Sequence, residues 1–339
     1  MKVLLTGATG FLGGHLLQAL LAQGARVRCL VRQSSPRRNL EGLSVEVVMG
    51  DLRDAASIRR AVEGCVQVYH CAADYRLFSR RPEELYQSNV EGTRNVLRAA
   101  AAARVERMVY TSSVGALGLR ADGAAADETT PVSLPDMVGH YKRSKYLAER
   151  VAEEWAARGL PVVIVNPSTP VGEGDVKPTA TGKMILDFLN RRTPAYVDTG
   201  LNLIDVRDVA RGHLLAAEKG RVGEKYILGN RNMTLREIFD TLACLTGLKP
   251  PRLKLPHWIP LLYAAADTAL ARLGRREPGV PLEAVKLSRH KMFFDASKAV
   301  RELGLPQTPV EEPLLRAVRW FEENGYVRLR SHAVGGKPA

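Results

Sequence analysis

The beginning of the chain constrains its fold most, because a short apolar strand runs directly into a glycine-rich turn. Gly7, Gly10 and Gly13 are spaced three apart in TGATGFLGGHL, which begins at residue 6, directly after the short apolar segment 2–5. The first glycine permits a tight turn, the second lets a phosphate approach the backbone, and the third lets the next helix pack closely on the sheet. The unpaired N–H groups and the positive dipole end of that helix then face the phosphates. This segment predicts a dinucleotide-binding strand–turn–helix.

Apolar and helical segments alternate through the first half of the chain. We expect further strands at 26–31, 45–49, 66–71, 107–111 and 162–166. We expect helices at 55–63, 83–103 and 139–158. Asp54 suits the N-cap of the first of these helices, and Pro82 suits a first-turn position of the second. Such alternation predicts an α/β fold of the Rossmann type, a doubly wound parallel sheet with helices on both faces.

At 339 residues, the chain is long enough for one large domain and a smaller lobe. We expect residues 1–166, rejoined by 202–229, to form the dinucleotide domain. Residues 167–201 and 230–326 should form a mostly helical substrate lobe. Residues 327–339 hold few large apolar side chains, so we expect this tail to be disordered.

A second pattern, more than a hundred residues after the glycine turn, indicates chemistry at one edge of the sheet. Tyr141 and Lys145 lie four residues apart in HYKRSKYLAE, so both side chains share one face of the expected helix. The strand at 107–111 ends in hydroxyl side chains, and the carboxyl ends of parallel strands line the crevice where ligands bind. These hydroxyls belong to Thr111, Ser112 and Ser113.

Together these motifs resemble the extended short-chain dehydrogenases/reductases, and within them the dihydroflavonol-reductase-like branch. The bacterial hopanoid-associated sugar epimerase family is especially similar, on CAADYRLF, NVEGTRNVL, ADETTPVSL, GHYKRSKYLAE, VVIVNPSTPVG, PAYVDTGLN and RHKMFFDASKAVRELG. The resemblance spans nearly the whole chain and implies an NAD(P)-dependent enzyme with Ser113, Tyr141 and Lys145 as its catalytic set. It also implies that Asn89, in NVEGT, steadies the active-site helix and that the protein is a homodimer.

The resemblance implies further contacts with the cofactor. Asp51 and Leu52 would contact the adenine, with Asp51 accepting a hydrogen bond from its amino group. The small Ala72 and Ala73 would let the cofactor ribose lie close. The full expected cofactor site comprises Gly7, Thr9, Gly10, Phe11, Leu12, Gly13, Arg32, Asp51, Leu52, Cys71, Ala72, Ala73, Thr111, Ser112, Pro167 and Ser168. We expect substrate contacts from Tyr75, Asn166, Lys177, Tyr196 and Asn202.

The proposed chemistry needs a proton donor beside a carbonyl while a hydride moves. A free tyrosine has a pKa of about 10, which is too high for ready proton exchange at neutral pH. We expect positive charge on Lys145 and on an oxidised nicotinamide to lower the pKa of Tyr141 by stabilising its phenolate. Ser113 would form a hydrogen bond with the substrate oxygen.

The segment CLVRQSSPRR, at the end of the second expected strand, bears on the choice of cofactor. An acid there would bind the ribose 2′-OH of NAD, whereas an arginine accommodates the 2′-phosphate of NADP. The segment has no acid, and Arg32 is placed to meet the phosphate, with Ser34, Arg37 and Arg38 as helpers. We therefore favour NADP(H), with NAD(H) as the alternative. The competing interpretation is a surface loop that happens to be basic.

Three functions are compatible with these residues. The first is an NADP-dependent reductase that exchanges its cofactor in every turnover. The second is a sugar epimerase that retains its cofactor and returns the hydride to the other face of a keto intermediate. The third is a non-catalytic NADP(H) sensor, against which the intact Ser–Tyr–Lys set argues. Arg32 favours the reductase, while the similarity to the epimerase family favours the second function.

Composition limits the partners. The net charge of +13 comes largely from scattered arginine pairs, which are typical of solvated faces, and no nucleic-acid-binding motif is present. The four cysteines lack a metal-ligand spacing, so we expect reduced thiols, no metal and a cytoplasmic protein that acts on a small carbonyl or sugar-like substrate. We expect no transmembrane segment. The apolar segment 255–274 is expected to be a lobe helix, and the alternative is an interfacial helix that contacts a membrane.

Overall fold

A computed structural model describes residues 1–327 except 77, 274, 275, 277, 280 and 281. The tail expected to be disordered lies outside the described residues apart from Val327, and Gly274 lies outside them too. The strands are β1 Lys2–Thr6, β2 Arg26–Val31, β3 Glu46–Met49, β4 Gln67–His70, β5 Arg107–Thr111, β6 Val162–Pro167, β7 Thr169–Val171, β8 Ala195–Tyr196, β9 Gly200–Asp205, β10 Lys225–Leu228, β11 Arg231–Thr234, β12 Leu253–Lys254 and β13 Lys291–Met292. The helices are α1 Phe11–Ala22, α2 Ala55–Val62, α3 Pro82–Tyr86, α4 Gly92–Ala102, α5 Gly139–Ala157, α6 Ala180–Leu189, α7 Val206–Lys219, α8 Leu235–Thr246, α9 Trp258–Leu273, α10 Leu282–Leu287, α11 Ser297–Leu303 and α12 Glu311–Glu323.

Within the described part of the chain, seven strands form one parallel sheet in the order β10–β6–β5–β4–β1–β2–β3. The strand order reverses direction between β1 and β4, and ligands bind outside the carboxyl ends of strands at such a switch point. Thr6 lies opposite His70 across this pair, and His70 lies opposite Tyr110 on β5. The carboxyl ends of β1, β4, β5 and β6, here called the site edge, therefore meet beside the glycine turn.

The two faces of the sheet are covered by different helices, because successive side chains of a strand point to opposite faces. Val3 and Leu5 of β1 pack in the apolar core that includes α1 and α7. Leu4 lies between them and packs in the opposite core with α2, α4 and α5. This arrangement confirms the expected doubly wound Rossmann-type fold.

A smaller sheet organises the substrate lobe. β9 pairs antiparallel with β11 and parallel with β7 and β13. Apolar side chains of α6, α8 and α12 pack with it, and Phe188 stacks on Phe239 with 5.7 Å between ring centroids. β9 ends at Asp205, whose side chain accepts a hydrogen bond from Arg207 N and caps α7. The lobe sheet therefore continues directly into a helix of the dinucleotide domain.

The local expectations hold better than the long-range ones. Asp54 caps α2 and Pro82 lies in the first turn of α3, as expected. The single regular helix expected at 83–103 is interrupted, because a π-helical turn at Gln87–Glu91 joins α3 to α4. The expected lobe boundary at residue 230 is wrong for 294–305, which packs in the α1–α7 core of the dinucleotide domain. An apolar helix face favours burial but does not specify against which domain.

Candidate active site

The glycine-rich turn between β1 and α1 leaves no space for side chains. Gly7 has a φ of +81°, and a Cβ there would lie 2.8 Å from the backbone N of Ala72. A Cβ on Gly13 would lie 2.0 Å from the carbonyl O of Gly7. Gly10 is the N-cap of α1, and no side chain caps this helix end. The N–H groups of the first turn of α1 are therefore available to an anion.

Asn39 braces this turn from the loop after β2, and sequence reasoning missed it. Its Nδ2 donates to the carbonyl O of Thr9 at 3.3 Å and to that of Gly10 at 3.2 Å. The contact exists because β1 and β2 are neighbours in the sheet. No local pattern around Asn39 indicates it.

Polar side chains at the ends of β1 and β4 are joined by hydrogen bonds. His70 Nδ1 lies 2.7 Å from Thr6 Oγ1, and His70 Nε2 lies 3.1 Å from Thr93 Oγ1 on α4. The backbone N of Ala72 donates to Thr6 Oγ1 at 3.1 Å. Burial lowers the pKa of His70 to about 3, with a smaller effect in the same direction from Lys145. A neutral His70 thus fixes the backbone next to the glycine turn.

A second set of hydrogen bonds links β4, β5 and α7. Cys71 Sγ lies 2.9 Å from Thr111 Oγ1, which lies 2.9 Å from His213 Nε2. His213 Nδ1 donates to the carbonyl O of Val209 at 2.7 Å, so Nε2 is the acceptor. Burial raises the pKa of Cys71 to about 11 and lowers that of His213 to about 4. Cys71 and Thr111, both expected at the cofactor, are thus engaged with each other and with α7.

Lys145 is buried on the inner face of α5 and anchored to β5. Its Nζ donates to the carbonyl O of Thr111 at 2.8 Å and to Tyr110 Oη at 3.3 Å. An ammonium has three N–H donors, and the described residues engage two of them. Burial lowers the pKa of Lys145 to about 8, opposed by the Glu149 carboxylate and by Cys71. Lys145 therefore titrates near physiological pH with one donor left for a ligand.

Tyr141 lies half-buried in the first turn of α5, near Ser113 at the end of β5. Burial raises the pKa of Tyr141 above its usual value, and hydrogen bonding with Ser113 lowers it by less. The lowering expected from Lys145 is not observed, because that ammonium is held against Thr111 and Tyr110. Ser113 Oγ accepts a hydrogen bond from Gly115 N at 3.0 Å, which leaves its hydroxyl proton to donate.

The π-helical turn carries Asn89, which ties α5 to the site edge. Its Oδ1 accepts from Asp74 N at 2.7 Å, and its Nδ2 donates to Asp74 O at 2.8 Å and to Ser144 Oγ at 2.9 Å. Ser144 Oγ donates in turn to the carbonyl O of Tyr141 at 2.8 Å. Asn89 thus holds the first turns of α5 against the loop after β4. Local π-helical turns are frequent at functional sites.

Glu149 lies one turn beyond Lys145 on the same buried face, and sequence reasoning missed it too. Its side chain is fully buried, and its Oε2 accepts a hydrogen bond from Asn166 Nδ2 at 2.7 Å. Its Oε1 pairs with Arg150 at 3.1 Å and with Lys225 at 3.6 Å. The four-residue spacing after Lys145 was a visible signal. It was overlooked because a glutamate on a helix is usually solvated.

Three buried polar atoms at the carboxyl ends of β5 and β6 have no hydrogen-bond partner among the described residues. They are Ser112 Oγ, Asn166 Oδ1 and Ser168 Oγ, and Pro167 lies between the last two. Each buried polar atom without a partner costs about 1–3 kcal/mol, so such a cluster suits a polar ligand. Together with the open N–H groups and the missing Cβ atoms of the glycine turn, it fits a dinucleotide laid across the site edge.

The segment after β3 shows how the expected adenine contacts are held. Asp51 accepts from Arg53 Nη2 at 2.7 Å, and this contact holds the pKa of Asp51 below its usual range. Arg32 adds a smaller lowering, so its guanidinium faces the same region. Asn95 Nδ2 donates to the carbonyl O of Leu52 at 2.9 Å, which fixes Leu52 against α4.

Arg32, at the end of β2, differs from the arginines expected to help it. Its side chain is exposed, and it has no hydrogen-bond or ion-pair partner within the described part of the chain. Arg37 donates to Met49 Sδ at 3.4 Å, and Arg38 donates to Asn324 Oδ1 at 2.6 Å. The helper role expected of Arg37 and Arg38 is therefore not supported, because both guanidinium groups bind elsewhere.

The residues expected at the substrate are not brought together. Asn166 lies at the site edge, whereas Tyr75 and Lys177 are exposed on loops. Tyr196 packs at the margin of the lobe core and its Oη accepts from Arg236 at 3.2 Å. Asn202 is buried, which makes its expected substrate contact wrong. Its side-chain amide forms hydrogen bonds that join β9 to β11 and to the segment after β13. The partners are Asn230, Asn232 and Phe294.

Comparison with known proteins identifies the family. The model of the NAD dependent epimerase/dehydratase family matches residues 3–229. This range includes the glycine turn, the site edge and α5, and the chain therefore belongs to this family of NAD(P)-dependent enzymes.

Individual relatives cover almost the whole chain. The putative dihydroflavonol 4-reductase of Synechocystis sp. is 50% identical over 330 residues, 96% of each chain. Sterol demethylase protein B of Methylococcus capsulatus is 39% identical over 329 residues, 96% of this chain and 100% of the relative. The 4-hydroxy-2-methyl-3-oxo-4-farnesyl-3,4-dihydroquinoline-1-oxide ketoreductase of Stigmatella aurantiaca is 32% identical over 331 residues, 94% of this chain and 96% of the relative.

Solved structures show the same fold. The crystal structure of gox2253 is 46% identical, with a TM-score of 0.87 over 96% of this chain and 99% of that chain. The structure of PA4631, a nucleoside-diphosphate-sugar epimerase from Pseudomonas aeruginosa, is 32% identical, with a TM-score of 0.78 over 97% of this chain and 99% of that chain.

Proposed function

We propose that the protein is an NADP-dependent reductase of a ketone or aldehyde, with Tyr141 as the general acid. The observation that carries this proposal is Arg32, an exposed cation without a partner among the described residues, at the end of β2 where a carboxylate would select NAD. An enzyme that exchanges its cofactor in every turnover suits an NADP(H) site. An epimerase, in contrast, keeps one cofactor through its whole cycle.

The chain's own residues divide the work of the reaction. Tyr141 Oη donates the proton to the carbonyl oxygen, and Ser113 Oγ orients that oxygen by a hydrogen bond. When bound, the reduced dinucleotide supplies the hydride, so the carbonyl gains a hydride and a proton and becomes an alcohol. Below a pH of about 8, Lys145 is cationic, and its remaining N–H donor would hold the ribose hydroxyls next to the nicotinamide.

The remaining residues position these groups. Asn89 and Ser144 fix the first turns of α5, and therefore the position of Tyr141. The first-turn N–H groups of α1 would hold the pyrophosphate, and Arg32 the 2′-phosphate. Ser112, Asn166 and Ser168 would accept or donate hydrogen bonds at the nicotinamide end.

Two relatives favour a lipophilic carbonyl as the substrate. The name of the Methylococcus capsulatus relative refers to a sterol, and that of the Stigmatella aurantiaca relative refers to a farnesyl-bearing ketone. The Synechocystis and Stigmatella aurantiaca relatives are both named as reductases. We infer that this chain reduces a carbonyl on a largely apolar molecule.

The experiment is to titrate the purified protein with NADPH and NADH by fluorescence, for the wild type and for Arg32→Glu. We expect NADPH to bind at least about tenfold more tightly than NADH, and Arg32→Glu to reverse the order, because a carboxylate repels the 2′-phosphate. Arg37→Glu and Arg38→Glu are matched controls with the same change in charge, and they should alter the preference much less. Equal affinity of the wild type for both cofactors would contradict the proposal.

The epimerase is the second candidate, favoured by the family model and by the name of the Pseudomonas aeruginosa structure. It differs in one measurable property, because an epimerase retains NAD through purification. Denaturing the purified protein and identifying the released nucleotide separates the two. Stoichiometric NAD in the supernatant, with no net consumption of NADPH by any carbonyl, would favour the epimerase.

The third candidate, a sensor, predicts that Tyr141→Phe leaves the biological effect unchanged.

A further inference from the structure

One helix on the surface of the lobe, α9, exposes large apolar side chains to water. The outward side of α9 exposes Trp258, Leu262, Tyr263 and Leu270, each about 60% accessible, with the small Ala266 between them. These residues, here called the outer face of α9, follow one another at helical spacing. The inward side of the same helix buries Asp267 and Thr268. An ordinary surface helix has the opposite polarity, and contiguous exposed apolar side chains mark interaction surfaces.

The charge around this face favours an anionic partner. Residues 247–292 contain nine Lys and Arg against three Asp and Glu. Of the acids, Asp267 is buried against Arg276, and the Glu283 side chain lies against Gly139. Arg252, Lys286 and Arg289 are exposed on the segments before and after the helix, whereas the exposed Lys254 is paired with Asp198 at 2.9 Å. An apolar helix face with Trp and Tyr, bordered by cations, suits the interface of a bilayer with anionic headgroups.

The helix is also connected to the site. α10 packs against α9, and a Cβ on Gly139 would lie 2.8 Å from the side chain of Glu283 on α10. Gly139 begins α5, two residues before Tyr141. α10 therefore lies directly beside the start of the active-site helix, and α9 is connected to that helix through α10.

We propose that the outer face of α9 docks on the surface of an anionic phospholipid bilayer and places the start of α5 next to the lipid. Within the described residues, no helix is both long enough and apolar enough to cross a bilayer, so the contact is a peripheral one. The docking inference depends only on the residues of this surface. Its purpose, delivery of a lipophilic carbonyl from the bilayer, rests on the proposed reductase function.

The test uses the full-length protein and vesicle flotation. We expect the protein to float with vesicles of equal parts phosphatidylcholine and phosphatidylglycerol, and much less with phosphatidylcholine alone or at high salt. The emission of Trp258 should shift to shorter wavelength on these vesicles, and Trp258→Phe should abolish the shift because Trp155 and Trp320 are half-buried elsewhere. The affinity of the double variant Leu262→Ser/Leu270→Ser for the vesicles should be lower than that of the wild type by about tenfold or more.

Val222→Ser is the matched control, because Val222 is a similarly exposed aliphatic residue in the dinucleotide domain. It should float like the wild type. Equal flotation of the double variant and the wild type would overturn the proposal. So would a wild-type dimer in sedimentation that the double variant abolishes while neither protein floats, since the outer face of α9 would then bind a second copy.

NADPH titration of the same samples separates this inference from the proposed function. The double variant should keep the NADPH affinity of the wild type and its turnover of a water-soluble ketone. If flotation fails while NADPH binding and turnover persist, the membrane inference falls and the reductase stands. If flotation succeeds while no carbonyl is reduced, docking stands without the proposed delivery.

Discussion

The site edge and the outer face of α9 depart from ordinary protein architecture in opposite directions. At the site edge, α5 buries the charged side chains of Lys145 and Glu149. On the outer face of α9, Leu262 and Leu270 are exposed to water. Burying a charge and exposing apolar surface both oppose stability. Both regions are therefore suited to binding, the site edge to a polar ligand and the outer face of α9 to an apolar partner.

The two regions also differ in how tightly they are packed. At the site edge, an added Cβ on Gly7 or Gly13 would overlap backbone atoms. The outer face of α9 has space on its solvent side. Substitutions should therefore have large and specific effects in the first region and small effects on stability in the second.

The largest effect is expected from Tyr141→Phe, which removes the acid but keeps the ring. We expect kcat for carbonyl reduction to fall about 10²–10⁴-fold, the usual contribution of a general acid, with the Kd for NADPH unchanged. Tyr146→Phe is the control, because Tyr146 lies on the same helix and packs against Arg150. If Tyr141→Phe turns over near the wild-type rate, Tyr141 is not the general acid.

Gly13→Ala should have the next largest effect. The new Cβ would lie 2.0 Å from the carbonyl O of Gly7, so the turn has to open. We expect the free energy of unfolding to fall by about 2–3 kcal/mol and NADPH binding to weaken strongly, as measured by denaturation and by titration. At Gly14, a Cβ would meet the side chain of Asn39, with Nδ2 nearest at 3.1 Å. A side chain can shift where the Gly7 backbone cannot, so Gly14→Ala, which disturbs only the bracing by Asn39, is the milder comparison. Similar losses in both variants would mean that the crowding at Gly13 is unimportant.

Glu149→Gln tests the buried charge one turn from Lys145. The carboxylate raises the pKa of Lys145, which burial lowers to about 8. Without it, the pKa of Lys145 falls further, so the ammonium is lost at lower pH. We expect the alkaline limb of the kcat/KM profile to move to lower pH by roughly one unit. Glu153→Gln is the control, because Glu153 also pairs with Arg150 and Lys225.

The other groups that face Lys145 do not titrate in this range. Burial keeps Cys71 a thiol, with a pKa of about 11, and keeps His70 neutral, with a pKa of about 3. Burial also raises the pKa of Tyr110 above its ordinary value. A limb that stays in place in Glu149→Gln would mean that Glu149 serves only to hold Asn166, Arg150 and Lys225 in position.

The smallest effect is expected on the outer face of α9. Leu262→Ala removes an exposed side chain, so the free energy of unfolding should change by no more than about 0.5 kcal/mol. Leu314→Ala, the same substitution in the lobe core, should cost about 2–5 kcal/mol, because Leu314 is fully buried. Chemical denaturation measures both. A large loss in Leu262→Ala would show that this face is packed within the protein and not open to a partner.

The sequence predicted those parts of the fold and site that short segments specify. The glycine turn, Asp54 as a cap and the Tyr141–Lys145 face of α5 each depend on residues within a few positions of one another. The network around His70 and the bracing by Asn39 join positions that are distant in sequence, so no local pattern showed them. Asn202 looked like a polar loop residue, but the pairing of β9 with β11 buries it.

The parallel sheet, the dinucleotide turn and the residue types available for chemistry could be inferred from the sequence, because periodicity and turn residues act locally. The folded structure was needed to show which charges are buried beside Lys145, that Arg32 lacks a partner among the described residues, and which side of α9 faces water. The physical reason is that burial and hydrogen bonding depend on the neighbours that the fold brings together. A residue's exposure, and with it its pKa and its affinity for a ligand, is a property of that packing.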